Sequence, residues 1–258
     1  MKMLATALLT LCSIAPLGAQ ADGSVTASTS VVLVHGAFVD GSDWAQVIPL
    51  LQARGLHVQA VQNGLNSLSD DAAAVRRAID GAPGKVVLVG HSWGGSVITE
   101  AGTHRKVSAL VYVAAFAPAA GQSTAELGKD DAPSPGQRQF VEGADGYLTL
   151  TPQGISQDFA QDLPASVTRV MAATQGPIQA RAFSERISEA AWASKPSWYV
   201  VSEEDRMIPP ALQRALAERI HAKVTSLPSS HVPHRSHPTE VAQVILEAAG
   251  IGKREVVR

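Results

Sequence analysis

The run Lys85-Val86-Val87-Leu88-Val89 passes directly into Gly90-His91-Ser92-Trp93-Gly94-Gly95, and no other stretch constrains the chain as much. A short, continuous apolar run marks a strand buried on both faces. The glycines then let the chain turn into a helix that starts just after Ser92 and continues over 96–101. A G-x-S-x-G sequence between a buried strand and a helix is a nucleophile elbow. The turn pushes the serine hydroxyl out of the sheet, and Gly90 and Gly94 lack the side chains that would keep strand and helix apart. The Trp93 amide falls at the helix N-terminus, where the peptide dipoles favour developing negative charge. A Gly-rich turn with a capping serine is the plainer reading, but strand, turn and helix together favour a nucleophile.

The remaining sequence supplies the frame that such a junction needs. Strands are expected at 31–34, 57–61, 85–89, 109–114, 199–201 and 224–227. Helical spacing runs over 44–54, with Trp44, Val47, Ile48 and Leu51 on one face and Gly55 ending it. Ser69-Asp70-Asp71 caps a helix running to Asp80. Helices at 210–220 and 238–249 each begin with proline in the first turn. Strands alternating with helices predict an α/β fold, a mostly parallel six-stranded sheet with helices on both faces. The stretch 118–192 breaks the rhythm. It is rich in Gln, Gly, Pro, Ser and Asp, yet carries Phe140, Tyr147, Leu148, Leu150, Ile155, Phe159, Leu163, Met171 and Phe183. A structureless loop of that length is unusual in a compact domain. An inserted cap with short helices, and a hairpin near 146–154, is expected instead.

Lys2 is the only charge before Asp22, residues 3–19 are apolar or small, and Ala19-Gln20-Ala21 offers a cleavage site. The segment 1–21 therefore reads as a secretory signal peptide cleaved near Ala21, with 22–258 as the mature domain and a periplasmic or secreted location. Cleavage removes Cys12, the single cysteine, so neither a disulfide framework nor a thiolate metal cluster is expected. Lys+Arg 21 against Asp+Glu 23 leaves a net charge of -2, which gives no basic field for nucleic acid. Beyond the leader no apolar run is long enough to span a bilayer, so no stable membrane insertion is expected after cleavage. Oligomeric state and natural substrate leave no mark in the sequence.

A serine needs a base to take its proton and a carboxylate to orient that base. In the order Ser, acid, His, both lie downstream of Ser92. After the 199–201 strand, Glu203, Glu204 and Asp205 compete. Asp205 lies deepest in the turn, before Ile208-Pro209, and is favoured; the glutamates read as solvated. After the last strand, His231, His234 and His237 compete. His231 comes first and is favoured as nearest the sheet edge. The spacing His-x-x-His-x-x-His suggests a metal, but the loop is interrupted by Pro233 and no second cluster matches it. His35-Gly36-Ala37-Phe38, after the first strand, offers the Ala37 amide as an oxyanion donor. His35 itself reads as structural.

Taken together, Gly90-His91-Ser92-Trp93-Gly94, His35-Gly36-Ala37-Phe38, Asp205-Arg206-Met207-Ile208-Pro209 and the loop from Ser230-His231 to Pro238 resemble the α/β-hydrolase superfamily. Within it the chain is similar to the compact serine esterases that include plant methylesterases, hydroxynitrile lyases and bacterial relatives. The resemblance implies Ser92 as nucleophile, His231 as base, Asp205 as orienting acid, Ala37 and Trp93 as oxyanion-hole donors, and a cap over about 118–192. Two positions depart from the lyases, which carry threonine where Gly36 stands and lysine where Val232 stands. Ser92 also departs from the epoxide hydrolases and dehalogenases, which have aspartate at the elbow. The expected activity is hydrolysis of small to medium, fairly apolar carboxylic esters through an acyl-enzyme, with no cofactor and no metal. The alternatives are a ligand-binding protein of this fold without turnover, and a haloperoxidase-like or C–C hydrolase activity of the same triad.

Overall fold

The computed structural model of the protein describes residues 29–130 and 132–252. The expected signal peptide at 1–21 lies outside the described residues. In chain order the elements are β1 (Thr29–Val34), α1 (Ile48–Gln52), β2 (His57–Val61), α2 (Leu68–Gly81), β3 (Lys85–His91), α3 (Trp93–Ala101) and β4 (Val107–Val113). Then come β5 (Phe140–Glu142), β6 (Tyr147–Leu150), α4 (Pro152–Gly154), α5 (Ala165–Thr174) and β7 (Ile178–Gln179). The chain closes with β8 (Ser197–Ser202), α6 (Pro210–Arg219), β9 (Lys223–Leu227), α7 (Pro233–Ser236) and α8 (Pro238–Ala248).

Six strands form one sheet in the order β2-β1-β3-β4-β8-β9, and every neighbouring pair is parallel. Side chains alternate between its faces, and both faces are covered, which is why the middles of the central strands are continuous apolar runs. Val32, Val34, Val86 and Leu88 point into one core with Val75 and Ile79 of α2, Val97 and Ile98 of α3, and Leu216 of α6. Val31, Leu33, Val87 and Val89 point into the other with Trp44, Leu51, and Val241 and Ile245 of α8. Each fully buried Val, Leu or Ile contributes roughly 1.5–3 kcal/mol relative to exposure. Because the strands are parallel, the loops after β1, β3, β8 and β9 all emerge at one edge.

Three local expectations are corrected. The 44–54 helix is two pieces, a 3-10 turn at Gly41–Trp44 and the short α1. Asp40 Oδ1 accepts from the Ser42 amide at 2.7 Å and starts the tight turn, while Pro49, with no N–H to give, occupies the first turn of α1. Trp44, Val47 and Leu51 are buried all the same. Helix α2 starts earlier than expected, because Ser67 rather than Ser69 is its cap, its Oγ accepting from the Asp70 amide at 3.0 Å. The hairpin pairs β5 with β6 and turns at 143–146, with Gly146 at φ 78. Pro152 opens α4 just beyond β6, so the hairpin occupies 140–150 rather than the expected 146–154. β7 adds a third antiparallel strand to this small sheet.

Candidate active site

Ser92 stands between β3 and α3 with φ 51 and ψ -119, a left-handed backbone that a serine adopts only under constraint. Three contacts impose it. The Ser92 amide donates to Val113 O at 3.2 Å, and its carbonyl accepts from Gly95 at 2.9 Å and Phe116 at 3.2 Å. A Cβ at Gly90 would overlap the Gly94 carbonyl, and one at Gly94 would lie 2.6 Å from Val34 O. These two glycines are what lets α3 cross so close to β1 and β3.

Asp205 ends the loop after β8 and is buried. Its Oδ1 accepts from the amides of Met207 at 2.7 Å and Ile208 at 3.0 Å. Its Oδ2 accepts from Gln213 Nε2 at 2.7 Å and from His231 Nδ1 at 2.7 Å. Four donors fix one carboxylate, and the histidine proton on Nδ1 leaves Nε2 bare. Glu203 instead pairs with Arg214 at the surface, and Glu204 is exposed. The three histidines of the last loop do not converge on one point. His231 meets Asp205, His234 meets Asp43 at 2.5 Å, and His237 bonds its neighbour Ser236 at 3.0 Å. His35 donates from Nδ1 to Gly36 O at 2.8 Å and accepts from the Asn63 amide on Nε2 at 2.9 Å. Both ring nitrogens are thus committed to shaping the loop, and burial holds the pKa of His35 below its ordinary value.

Ser92 and His231 line the same cavity of about 300 Å³, with Ala37 on its wall. Trp93 is the first residue of α3, so its amide has no acceptor within the helix. Its indole turns away, donating to Asp71 Oδ2 at 2.9 Å. Phe38, next to Ala37, has φ 65 and gives its own amide to Gly176 O at 3.0 Å. All five phenylalanines of the chain, Phe38, Phe116, Phe140, Phe159 and Phe183, line the cavity. Among the described residues, no Asp, Glu, Lys or Arg lines it.

The segment between β4 and β8 reaches over both loops of the Asp205–His231 pair, a set of contacts that carries no sequence signature. Asp158 pairs with Arg206 at 3.0 Å, Gln161 donates to Glu204 O at 2.7 Å, and Asp162 accepts from the Ser230 amide at 2.9 Å. Phe159, in the π-helical turn at Ile155–Phe159, packs edge-on to His231 with centroids 5.0 Å apart.

Among the described residues, one cluster has donor atoms close enough together for a metal, Asp43, His91 and His234, within 4.8 Å of one another. Its carboxylate is already engaged at both oxygens, by His234 and by the Arg235 guanidinium at 2.7 Å. A fixed cation at that position opposes a second one.

A strained serine at an elbow and the histidine of a buried Asp–His pair thus line one apolar cavity at the edge of a parallel α/β sheet, an arrangement suited to a hydrolase. Residues 31–244 match the model of the alpha/beta hydrolase family, and the chain belongs to that family. A pyrethroid hydrolase of Sphingobium wenxiniae is 27% identical over 255 residues, covering 86% of this chain and 88% of that protein. A chloroplastic protein of Arabidopsis thaliana named as a methylesterase is 28% identical over 252 residues, covering 85% of this chain and 64% of that one. The crystal structure of a pyrethroid hydrolase from Sphingobium faniae superposes with a TM-score of 0.77 at 25% identity, covering 86% of this chain and 98% of that one.

Proposed function

We propose that the protein hydrolyses carboxylic esters through an acyl-enzyme on Ser92. The observation that carries this is His231, held by Asp205 at 2.7 Å, lining one cavity with the strained Ser92. Ester hydrolysis agrees with the names of the relatives. Ser92 Oγ attacks the ester carbonyl carbon while His231 Nε2 takes its proton, and Asp205 holds the imidazole in the tautomer that leaves Nε2 free. The oxyanion faces the Ala37 and Trp93 amides, each worth about 3–4 kcal/mol by precedent. His231 then protonates the leaving alcohol, and water, deprotonated by the same nitrogen, attacks the acyl carbon and releases Ser92.

The preferred substrate is a neutral, fairly apolar ester of small to medium size, favoured when it carries a ring. No charge lines the cavity, and five phenylalanines do. Edge-to-face contacts between rings add about 0.5–1.5 kcal/mol each beyond burial. Incubation with a fluorophosphonate followed by peptide mapping tests the nucleophile, and the adduct is expected on Ser92. Methyl benzoate against methyl cyclohexanecarboxylate tests the ring preference, with kcat/KM expected roughly tenfold higher for the former. Labelling of another serine, or of none, overturns the mechanism; equal rates overturn only the ring preference. Secretion through a leader at 1–21 belongs to the same reading, and N-terminal sequencing of the protein from its host is expected to begin at Asp22.

A further inference from the structure

A second aspartate–histidine pair lies behind the first. His234 follows His231 by three positions, is wholly buried, and donates from Nε2 to Asp43 Oδ2 at 2.5 Å. Asp43 belongs to the 3-10 turn that follows the Ala37 loop, and Arg235 holds its other oxygen at 2.7 Å. Burial disfavours this carboxylate's charge, but His234 and Arg235 more than offset that, and its pKa lies well below the ordinary range. Asp43 therefore ties the loop that carries His231 to the loop that carries Ala37.

Between the two pairs sits His91, the residue before Ser92. Its ring lies 4.8 Å from His231 and 4.5 Å from His234, centroid to centroid. Its Nε2–H donates to the backbone carbonyl of His231 at 2.8 Å. Burial, then the neighbouring His234 and His231, push its pKa far below the ordinary histidine value, so it carries a single ring proton. That proton is the one given to His231 O. His234 packs against the same ring and restricts its rotation, and His234 is itself pressed against Trp44, with centroids 4.5 Å apart, and anchored by Asp43.

We propose that Asp43 and His234 are positioning residues for catalysis: acting through His91, they fix the backbone of His231 relative to Ser92. Neither lines the cavity, so neither touches substrate. Displacement of a catalytic group by about 1 Å costs on the order of a hundredfold in rate, and loss of one anchor among several is expected to cost roughly tenfold. This rests on the assignment of Ser92 and His231 above.

The test measures p-nitrophenyl butyrate hydrolysis by the full chain and by Asp43→Asn, His234→Phe and the double variant, with active sites counted by fluorophosphonate labelling. His234→Phe keeps the ring between Trp44 and His91 but leaves Asp43 without its histidine. The double variant also removes the buried carboxylate oxygen that loses its donor in His234→Phe, and so guards against simple misfolding. The expected result is a fall in kcat per labelled site of roughly tenfold in all three, with KM within about twofold, even where the double variant recovers the melting temperature. Unchanged kcat per labelled site in the double variant overturns the proposal and leaves the pair a stability element. A wild type that neither labels nor turns over overturns the reading of Ser92 itself.

Discussion

The two aspartate–histidine pairs use the same residue types, draw their histidines from one stretch of chain after β9, and differ in what surrounds them. His231 faces the cavity, and its carboxylate is steadied by two amides and an amide side chain. His234 faces only protein, and its carboxylate is steadied by an arginine. Asp205 has neutral partners and can answer a change of charge on its histidine. Asp43 already has a permanent cation beside it. On the proposed mechanism, chemistry is decided by where the histidine's other nitrogen points and by whether the carboxylate's charge is already answered, not by the Asp–His contact alone.

Asp205→Asn should separate the pairs most sharply. An amide at 205 can present its NH₂ to His231 Nδ1 and force the wrong tautomer, so kcat is expected to fall by about 10⁴. Asp43→Asn should cost only the roughly tenfold described above, and similar losses at the two sites would erase the distinction. Next in size is Gly36→Ala. The added Cβ would sit 2.8 Å from Ser92 Cβ and 3.0 Å from His91 Nδ1, disturbing the nucleophile and the ring between the pairs together. A kcat loss of roughly a hundredfold is expected, measured beside the melting temperature.

A stability effect of pH should follow from the buried rings. His35 and His91 both have folded pKa values lowered by burial from 6.5. Above that pH both states are neutral at these positions. Below it the unfolded chain takes up protons that the fold refuses, so stability falls as pH falls, by up to about 1.4 kcal/mol per unit for each ring. Melting temperatures at pH 7.5, 6.5 and 5.5 should fall slightly across the first interval and more steeply across the second; a flat profile would mean that these rings are not held neutral. The smallest effect is expected from Asp162→Ala, which frees the Ser230 amide but leaves the Asp158 and Gln161 contacts. KM should rise by no more than a few-fold at nearly constant kcat, because the cap shapes the cavity while the pairs set the chemistry.

The same contrast explains what the sequence disclosed. The sheet was legible because strands covered on both faces must be apolar where they are buried, and 86–89 and 31–34 are. The elbow was legible because its glycines and serine are adjacent. Asp205 and His231 followed from their place after the last two sheet strands, since parallel strands deliver those loops to one edge. His234 was visible only as a rival to His231. Its partner Asp43 lies far away in sequence, and no local pattern links them. The segment between β4 and β8 was legible only as an interruption. Its strands are two to four residues long, and its hold on the Asp205 and His231 loops comes from single side chains, Asp158, Gln161 and Asp162. Such contacts have no period. The break of the 44–54 helix came from Asp40, a capping side chain outside the apolar pattern.

The proposed hydrolysis depends first on Ser92 as the group that attacks. Hydrolysis of p-nitrophenyl butyrate by the wild-type protein and by Ser92→Ala, at matched concentration and with both shown folded by circular dichroism, tests it directly. The predicted result is turnover by the wild type and a loss of at least about 10⁴-fold in kcat for the variant. Comparable turnover by the two proteins would contradict the mechanism, and with it the roles assigned to His231 and Asp205.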